Sequence, residues 1–177
     1  MTYNFKRHLE LLKDFRVFEK LNKWYSKEKE AESRELLRYN AKVSLYLQWE
    51  RRFAYLSMMK DYIDGLTSAE EFTDRFVGLR QIELNECAAF LKKLESEEVE
   101  ASQIKKIEQF DDQGASNFRQ LLTFVYLECD KHREIYEYQD GDYDYGGDFT
   151  EEMEGFYESM KKCYSHAHFL IHFFGEG

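Results

Sequence analysis

The most specific group of side chains that could do chemistry is an acidic, aromatic and glycine-containing run at residues 140–151. Numbered as a twelve-residue calcium loop, it places carboxylates at positions one, three, five, nine and twelve, the positions from which an EF-hand surrounds a hard cation. The fit is incomplete because position six, which requires glycine, is Tyr145. A loop that begins at Asp142 restores this glycine but puts Met153 in place of the bidentate glutamate. We therefore favour an interaction loop, with calcium binding as an alternative.

A second group consists of three histidines near the end of the sequence, His166, His168 and His172, with Cys163 just before them. His168 and His172 are four residues apart, which puts both on one face of a helix, and zinc sites use such spacing. The sequence has no H-E-x-x-H motif, and phenylalanines are interleaved with the histidines. We therefore expect a structural role for this group and predict no metal ligand and no cofactor.

Motifs that cradle phosphates or hold a nucleophile do not occur in the sequence, whether G-x-x-x-x-G-K-[ST], G-x-G-x-x-G or G-x-S-x-G. The carboxylate pairs at 70–71 and 151–152 are adjacent in sequence, so their side chains project from different parts of a helix and cannot share a proton by spacing alone. The sequence therefore predicts no catalytic residue and no enzyme.

Composition indicates the kind of fold that carries these residues. The chain has 177 residues, 43% of them apolar, no proline and nine glycines, which favours helices over a turn-rich β fold. No apolar stretch approaches the roughly 20 residues of a membrane span, so we predict no span. The three cysteines lack disulfide or metal spacing, which suits a reducing compartment.

Charge is distributed unevenly along the sequence. Residues 1–60 hold 14 lysines and arginines against 8 acids, whereas residues 61–177 carry a net charge of −16. Ten acids and no basic residue lie between residues 134 and 158. An acidic surface of this kind repels nucleic acid and attracts a basic protein surface. We therefore predict a basic, aromatic-rich N-terminal helical segment at 1–60 and an acidic helical bundle at 61–177, with a basic protein partner and no direct nucleic-acid contact.

Apolar periodicity predicts about five helices. A first helix precedes the polar run at 26–33, and a second, continuous helix follows that run up to Asp64-Gly65, which supplies a stop. Either Thr67 or Ser68 can begin the third helix, because each has a glutamate three positions later. Residues 95–114 form a connector with at most a short helix, and the fourth and fifth helices follow on either side of the acidic run. The apolar face of the second helix is predicted as Leu36, Tyr39, Val43, Tyr46, Trp49, Phe53, Leu56, Met59 and Ile63, and that of the third as Phe72, Phe76, Leu79, Leu84, Cys87, Leu91 and Leu94. The predicted fold class is all-α, an antiparallel helical bundle with a long N-terminal helical extension.

Two parts of the sequence together resemble a known family. The segment 62–76 contains a helix end followed by S-x-E-E-F-x-x-x-F, and the runs 118–122, 127–130 and 148–153 follow it. Over about residues 55–165 the chain resembles the colicin D type of bacterial immunity proteins and similar small plastid-encoded proteins. The resemblance implies a helical bundle that blocks a tRNA-cleaving toxin domain with an acidic surface, in the cytoplasm or the plastid stroma. The chain departs from that family in its basic N-terminal segment and its enlarged acidic loop.

These observations predict a non-enzymatic protein-binding module, similar to an immunity or inhibitor protein, whose acidic surface docks on a basic partner such as a nuclease domain. The alternatives are an accessory or structural subunit of a larger complex, which would bind through the N-terminal helices, and a calcium-binding protein. The predicted partner-binding residues are Asp140, Asp142, Tyr143, Asp144, Tyr145, Asp148, Glu151 and Glu152. Their carboxylates would meet lysine and arginine on the partner, and the tyrosines would serve as rigid amphipathic anchors.

Overall fold

A computed structural model describes residues 3–23, 27–110, 112–139 and 149–174. Within these ranges the chain forms seven α-helices and no strand, so the predicted all-α class is confirmed. The helices are α1 (Phe5–Lys20), α2 (Glu30–Glu50), α3 (Arg52–Ile63), α4 (Ala69–Glu95), α5 (Ala101–Gln109), α6 (Asp112–Gln139) and α7 (Phe149–Phe174), with a 3₁₀ turn at Lys27–Lys29. None of these helices has the length and apolar character needed to cross a membrane.

The predicted stop and start between α3 and α4 are both confirmed. Gly65 has φ +73°, and the Leu66 N–H donates to the Asp61 carbonyl at 2.8 Å, which closes α3 in the manner of a Schellman motif. Ser68 caps α4, since its Oγ accepts from the Glu71 N–H at 3.1 Å and the Glu71 carboxylate accepts from the Ser68 N–H at 3.0 Å. Of the two hydroxyls that the sequence offered, Ser68 is therefore the one that forms the capping box.

The predicted continuous second helix is wrong, because it is divided at Arg51 into α2 and α3. The Arg51 N–H donates to the Gln48 carbonyl three residues back, at 3.1 Å, which tightens the last turn of α2. In α3 the buried side of the helix therefore falls at positions other than those predicted for a continuous helix. Phe53, predicted on the apolar face, is 57% exposed, whereas Tyr55 is fully buried.

The apolar face of α4 also differs from its prediction at one position. Leu84 is 59% exposed, and the neighbouring Glu83 is buried at 6% exposure. The spacing explains the error, because a helical stripe that passes through Leu79 and Cys87 reaches position 83 and not 84. Phe90, which the prediction left out, is buried on the continuation of this stripe.

The end of α1 depends on an asparagine. Asn22 has φ +55°, its N–H donates to the Glu19 carbonyl at 2.9 Å, and the Lys23 N–H donates to the Phe18 carbonyl at 2.9 Å. Asparagine tolerates the left-handed conformation that ends a helix in this way. Neither glycine nor proline marks this end in the sequence.

The chain forms two compact units, and each of them combines two separate stretches of sequence. Unit 1 contains residues 1–47 and 83–112, and unit 2 contains residues 48–82 and 113–177. This division differs from the charge-based segments 1–60 and 61–177, whose boundary lies inside α3.

In unit 1, α1 and α2 bury their apolar faces together with α5 and the second half of α4. Lys29 Nζ lies 4.5 Å from the centroid of the Phe18 ring, and the Arg7 guanidinium donates to both carboxylate oxygens of Glu35. The core consists of Tyr3, Leu11, Leu12, Leu36, Tyr39, Val43, Tyr46, Phe90, Leu94 and Ile107. The apolar faces of α1 and α2 therefore belong to a core.

In unit 2, α3 packs against α4, α6 and α7 through aromatic side chains. Tyr62 stacks on Phe72 of α4 at 5.2 Å between ring centroids and lies 5.6 Å from Phe156 of α7. Tyr55 contacts Phe76 and Phe118 at 5.3 and 6.2 Å. These contacts fix the orientation of the helices that carry the candidate site.

Candidate functional site

The predicted partner-binding residues are only partly described by the structure. Glu151 and Glu152 lie in the first turn of α7, the former exposed and the latter half-buried. Acidic side chains in a first turn are stabilised by the positive end of the helix dipole. The other predicted residues lie outside the described ranges, namely Asp140, Asp142, Tyr143, Asp144, Tyr145 and Asp148, as does most of the alternative calcium loop at 140–151.

Helices α6 and α7 contact each other at two places along their length. An ideal Cβ on Gly114, near the start of α6, would lie 2.5 Å from the Cβ of Phe174 at the end of α7. Near the other end of the pair, His132 Nε2 lies 3.2 Å from Met153 Sδ, and the His132 ring lies 4.8 Å from the ring of Phe156. The close approach at Gly114 holds the two backbones together where a side chain would separate them.

A groove of about 370 Å³ runs between these two helices and is open to solvent. Its lining combines apolar, basic and imidazole side chains, namely Leu121 and Phe124 from α6 and Ser159, Lys162, Cys163 and His166 from α7. Phe124 is 46% exposed although it is large and apolar. The groove is therefore a concave surface whose lining includes one exposed phenylalanine.

The apolar character of this side of α7 continues beyond the groove. Phe169 and Phe173 follow His166 at positions three and seven residues later, so all three share one face of the helix. The two rings stack at 5.5 Å with 19° between their planes and are 58% and 69% exposed. We call Phe124, Phe169 and Phe173 the aromatic surface of unit 2, and clusters of this kind are typical of interaction sites.

The three histidines singled out in the sequence separate into a pair and a single residue. His168 and His172 are exposed, and their Nε2 atoms lie 3.2 Å apart. His166 is also exposed but lies in the groove, on a different face of α7. Cys163 is buried at 4% exposure.

A buried polar chain lies in the core of unit 1. The Tyr3 hydroxyl lies 2.9 Å from His8 Nδ1, and His8 Nε2 lies 2.8 Å from Asn40 Oδ1. With Nε2 donating to the amide oxygen of Asn40, Nδ1 accepts from the tyrosine hydroxyl, so the ring is neutral. Burial lowers the pKa of His8, and this effect outweighs the hydrogen bond to Asn40, which acts to raise it. Burial raises the pKa of Tyr3.

Two thiols are buried in the core of unit 2. Burial raises the pKa of Cys129 to about 12 and that of Cys163 to about 11. Since the thiolate is the reactive form, these two side chains behave as small apolar groups at neutral pH.

Periodicity alone did not identify the aromatic surface. Apolar periodicity in α6 gives a stripe through Phe118, Leu122 and Val125, and all three are fully buried. A signal for Phe124 was nevertheless present, because this large apolar residue falls outside that stripe. An apolar residue off the core-facing stripe of a helix points to solvent or to a partner.

No protein-family model, curated protein or solved structure matches this chain. The resemblance to immunity proteins therefore stays a prediction.

Proposed function

We propose that the chain is a non-enzymatic protein-binding module that docks unit 2 on a basic surface of another protein. The observation that carries this proposal is the division of charge between the units. Unit 1 holds 15 lysines and arginines against 16 acids, whereas unit 2 holds 10 against 19. Unit 1 is therefore close to neutral, and nearly all of the net negative charge of the protein belongs to unit 2.

The basic side chains of the N-terminal helix are compensated within unit 1. Arg16 of α1 pairs with Glu95 of α4 at 3.0 Å, and Lys13 pairs with Glu97 at 2.9 Å. Exposed ion pairs of this kind contribute little to stability, but each pair is neutral as a whole and therefore attracts a charged partner only weakly. The basic N-terminal sequence therefore does not favour a role as the main contact with an acidic partner.

The charge of unit 2 is concentrated near the beginning of α7. Glu151, Glu154 and Glu158 are exposed on this helix, and of these Glu158 has a lysine partner, Lys161, at 3.6 Å. The acids of residues 134–148 add to the same part of the sequence. A field of one sign accelerates encounter with an oppositely charged protein and makes the rate depend on salt.

The aromatic surface would supply the short-range part of the same interface. Charge steers association, whereas buried aromatic side chains usually provide most of the binding energy. Phe169 and Phe173 already expose stacked rings, so little side-chain entropy remains to be lost when a partner covers them. We further propose that the helices of unit 2 form an antiparallel bundle, and that this bundle presents both the acidic side chains and the aromatic surface to the partner.

A nuclease domain is the partner that the family resemblance favours. Its phosphate-binding site would be basic, and the carboxylates at 140–152 would occupy the positions of RNA phosphates. The compartment that goes with this partner is the cytoplasm or the plastid stroma.

The test begins with a pull-down in which this chain is the bait, from an extract of the source organism, at low and at high salt. Association kinetics are then measured between this chain and the partner protein that is recovered. The test variant converts Asp142, Asp144, Asp148, Glu151 and Glu152 to their amides. A control variant converts five exposed acids of unit 1, Glu28, Glu86, Glu98, Glu100 and Glu108, in the same way. We expect slower association and a flatter salt dependence for the first variant only.

Equal association rates for the wild-type chain and the first variant would refute the proposal. Recovery of a stable complex of several subunits that resists high salt would instead favour a subunit of a larger assembly. Truncation at residue 60 is a poorer test, because it removes residues 48–60 from unit 2.

A further inference from the structure

His168 and His172 form an exposed pair on α7 that the proposed docking function does not use. They lie one turn apart, with their ring centroids 4.3 Å apart and their Nε2 atoms 3.2 Å apart. His166 lies two positions before His168, or about 200° around the helix, and it lines the groove. His168 therefore lies on the opposite side of α7 from the groove, and both rings of the pair are exposed.

The separation of the two nitrogens matches that of two ligands on one metal ion. Imidazole nitrogens bind zinc at about 2.0–2.1 Å, which places two ligands of the same ion about 2.9 Å apart in octahedral and about 3.4 Å apart in tetrahedral geometry. The observed 3.2 Å lies between these values. The two nitrogens are therefore close enough to bind one ion.

We propose that His168 and His172 form a bidentate site for a divalent transition-metal ion of borderline softness, such as Zn²⁺, Ni²⁺ or Cu²⁺. Each ring would bind through the Nε2 lone pair and keep its proton on Nδ1. Imidazole suits these ions and is a poor ligand for Ca²⁺ and Mg²⁺, which take oxygen. Among the three, Cu²⁺ should bind most tightly.

The site would have two protein ligands and would leave its other coordination positions to water. Within the described residues, no group of three or more histidine, cysteine, aspartate or glutamate side chains is placed to hold one metal ion. A two-ligand site on an exposed helix binds reversibly and responds to metal availability. This distinguishes it from a structural zinc site, which has four protein ligands and is closed.

The test is isothermal titration of the untagged full-length chain with Zn²⁺, and it compares H168N, H172N and the control H166N. Loss of either member of the pair should weaken binding by at least about tenfold, because the second ligand then no longer acts at high effective concentration. The control removes an exposed imidazole from the same helix and should bind as the wild-type chain does. All three side chains are exposed, so far-UV circular dichroism should be the same for every variant.

Electron paramagnetic resonance with Cu²⁺ gives a second measurement on the wild-type chain itself. Two bound imidazole nitrogens should appear in its hyperfine pattern, and one in either variant of the pair. An absence of zinc binding by the wild-type chain would overturn the proposal. An equal loss of affinity in H166N, unchanged affinity in H168N and H172N, or a single nitrogen in the wild-type spectrum would do the same.

Discussion

Alanine at Gly114 should destabilise the protein, whereas alanine at Gly78 or Gly155 should stabilise it. All three glycines lie within helices of unit 2. Alanine gains about 0.5–1 kcal/mol of helix propensity in a helix interior, as at Gly78 and Gly155, and no more than this at Gly114, the third residue of α6. A Cβ added at Gly78 or Gly155 meets no atom within 4 Å. These two positions therefore measure the propensity effect alone.

At Gly114 the added Cβ would lie 2.5 Å from the Cβ and 2.7 Å from the Cγ of Phe174. Rotation of the phenylalanine side chain moves Cγ but leaves Cβ in place, so the backbones of α6 and α7 must separate. Overpacking of this kind costs about 1–3 kcal/mol, and the gain in propensity offsets less than 1 kcal/mol of it. We expect a net loss of about 1–2 kcal/mol for Gly114→Ala.

Equilibrium unfolding in urea, monitored by circular dichroism, compares the three variants with the wild-type chain. The midpoint should fall for Gly114→Ala and rise for Gly78→Ala and Gly155→Ala, with the slope unchanged. If Gly114→Ala is stabilised as much as the other two, the reasoning fails, because α6 and α7 cannot then be in contact at this position.

Three further predictions concern buried and capping groups. Burial lowers the pKa of His8, so His8 takes up a proton in the unfolded chain before it does so in the folded chain as the pH falls below about 6.5. This difference should lower the free energy of unfolding by up to about 1.4 kcal/mol per pH unit. Denaturant titrations at several pH values should show a shallower decrease for His8→Gln than for the wild-type chain. Ser68→Ala removes the capping hydroxyl of α4 and should cost about 1 kcal/mol in urea unfolding. Iodoacetamide at pH 8 should modify half-buried Cys87 faster than Cys129 or Cys163, as followed by peptide mass spectrometry, because burial shields the latter two and raises their pKa to about 12 and 11.

Each of these predictions has an outcome that contradicts it. An identical pH dependence in wild type and His8→Gln would mean that His8 titrates alike in the folded and unfolded chains. Unchanged stability of Ser68→Ala would mean that the capping box contributes nothing to α4. Equal modification rates for the three thiols would place Cys129 and Cys163 in contact with solvent.

The sequence predicted best those features that depend on a few neighbouring residues. Gly65 and the pair of Ser68 and Glu71 determine a helix end and a helix start through local hydrogen bonds, and both are present in the structure. The break at Arg51 has no such signal, since no glycine or proline marks it in the sequence. A change of phase at one residue then altered the predicted burial of Phe53 and Tyr55.

The candidate site was predicted less completely for a different reason. Acidic composition shows where charge lies along the sequence, but the compensation of Arg16 by Glu95 joins residues 79 positions apart. The 3.2 Å separation of the His168 and His172 nitrogens likewise depends on side-chain conformations that spacing permits but does not determine. Similarly, periodicity finds the buried face of a helix but does not say whether a second apolar face is covered.

The alternation of the two units along the chain has a consequence for synthesis on the ribosome. Unit 1 takes its last segment from residues 83–112, so α1 and α2 emerge well before α5 and the second half of α4 that share their core. Unit 2 begins in the interval, at residues 48–82, and is completed only by residues 113–177. Most multidomain chains fold their N-terminal domain first during translation. Here neither unit has all of its residues until the second half of the chain is made, so early nascent chains expose apolar faces that only later residues bury.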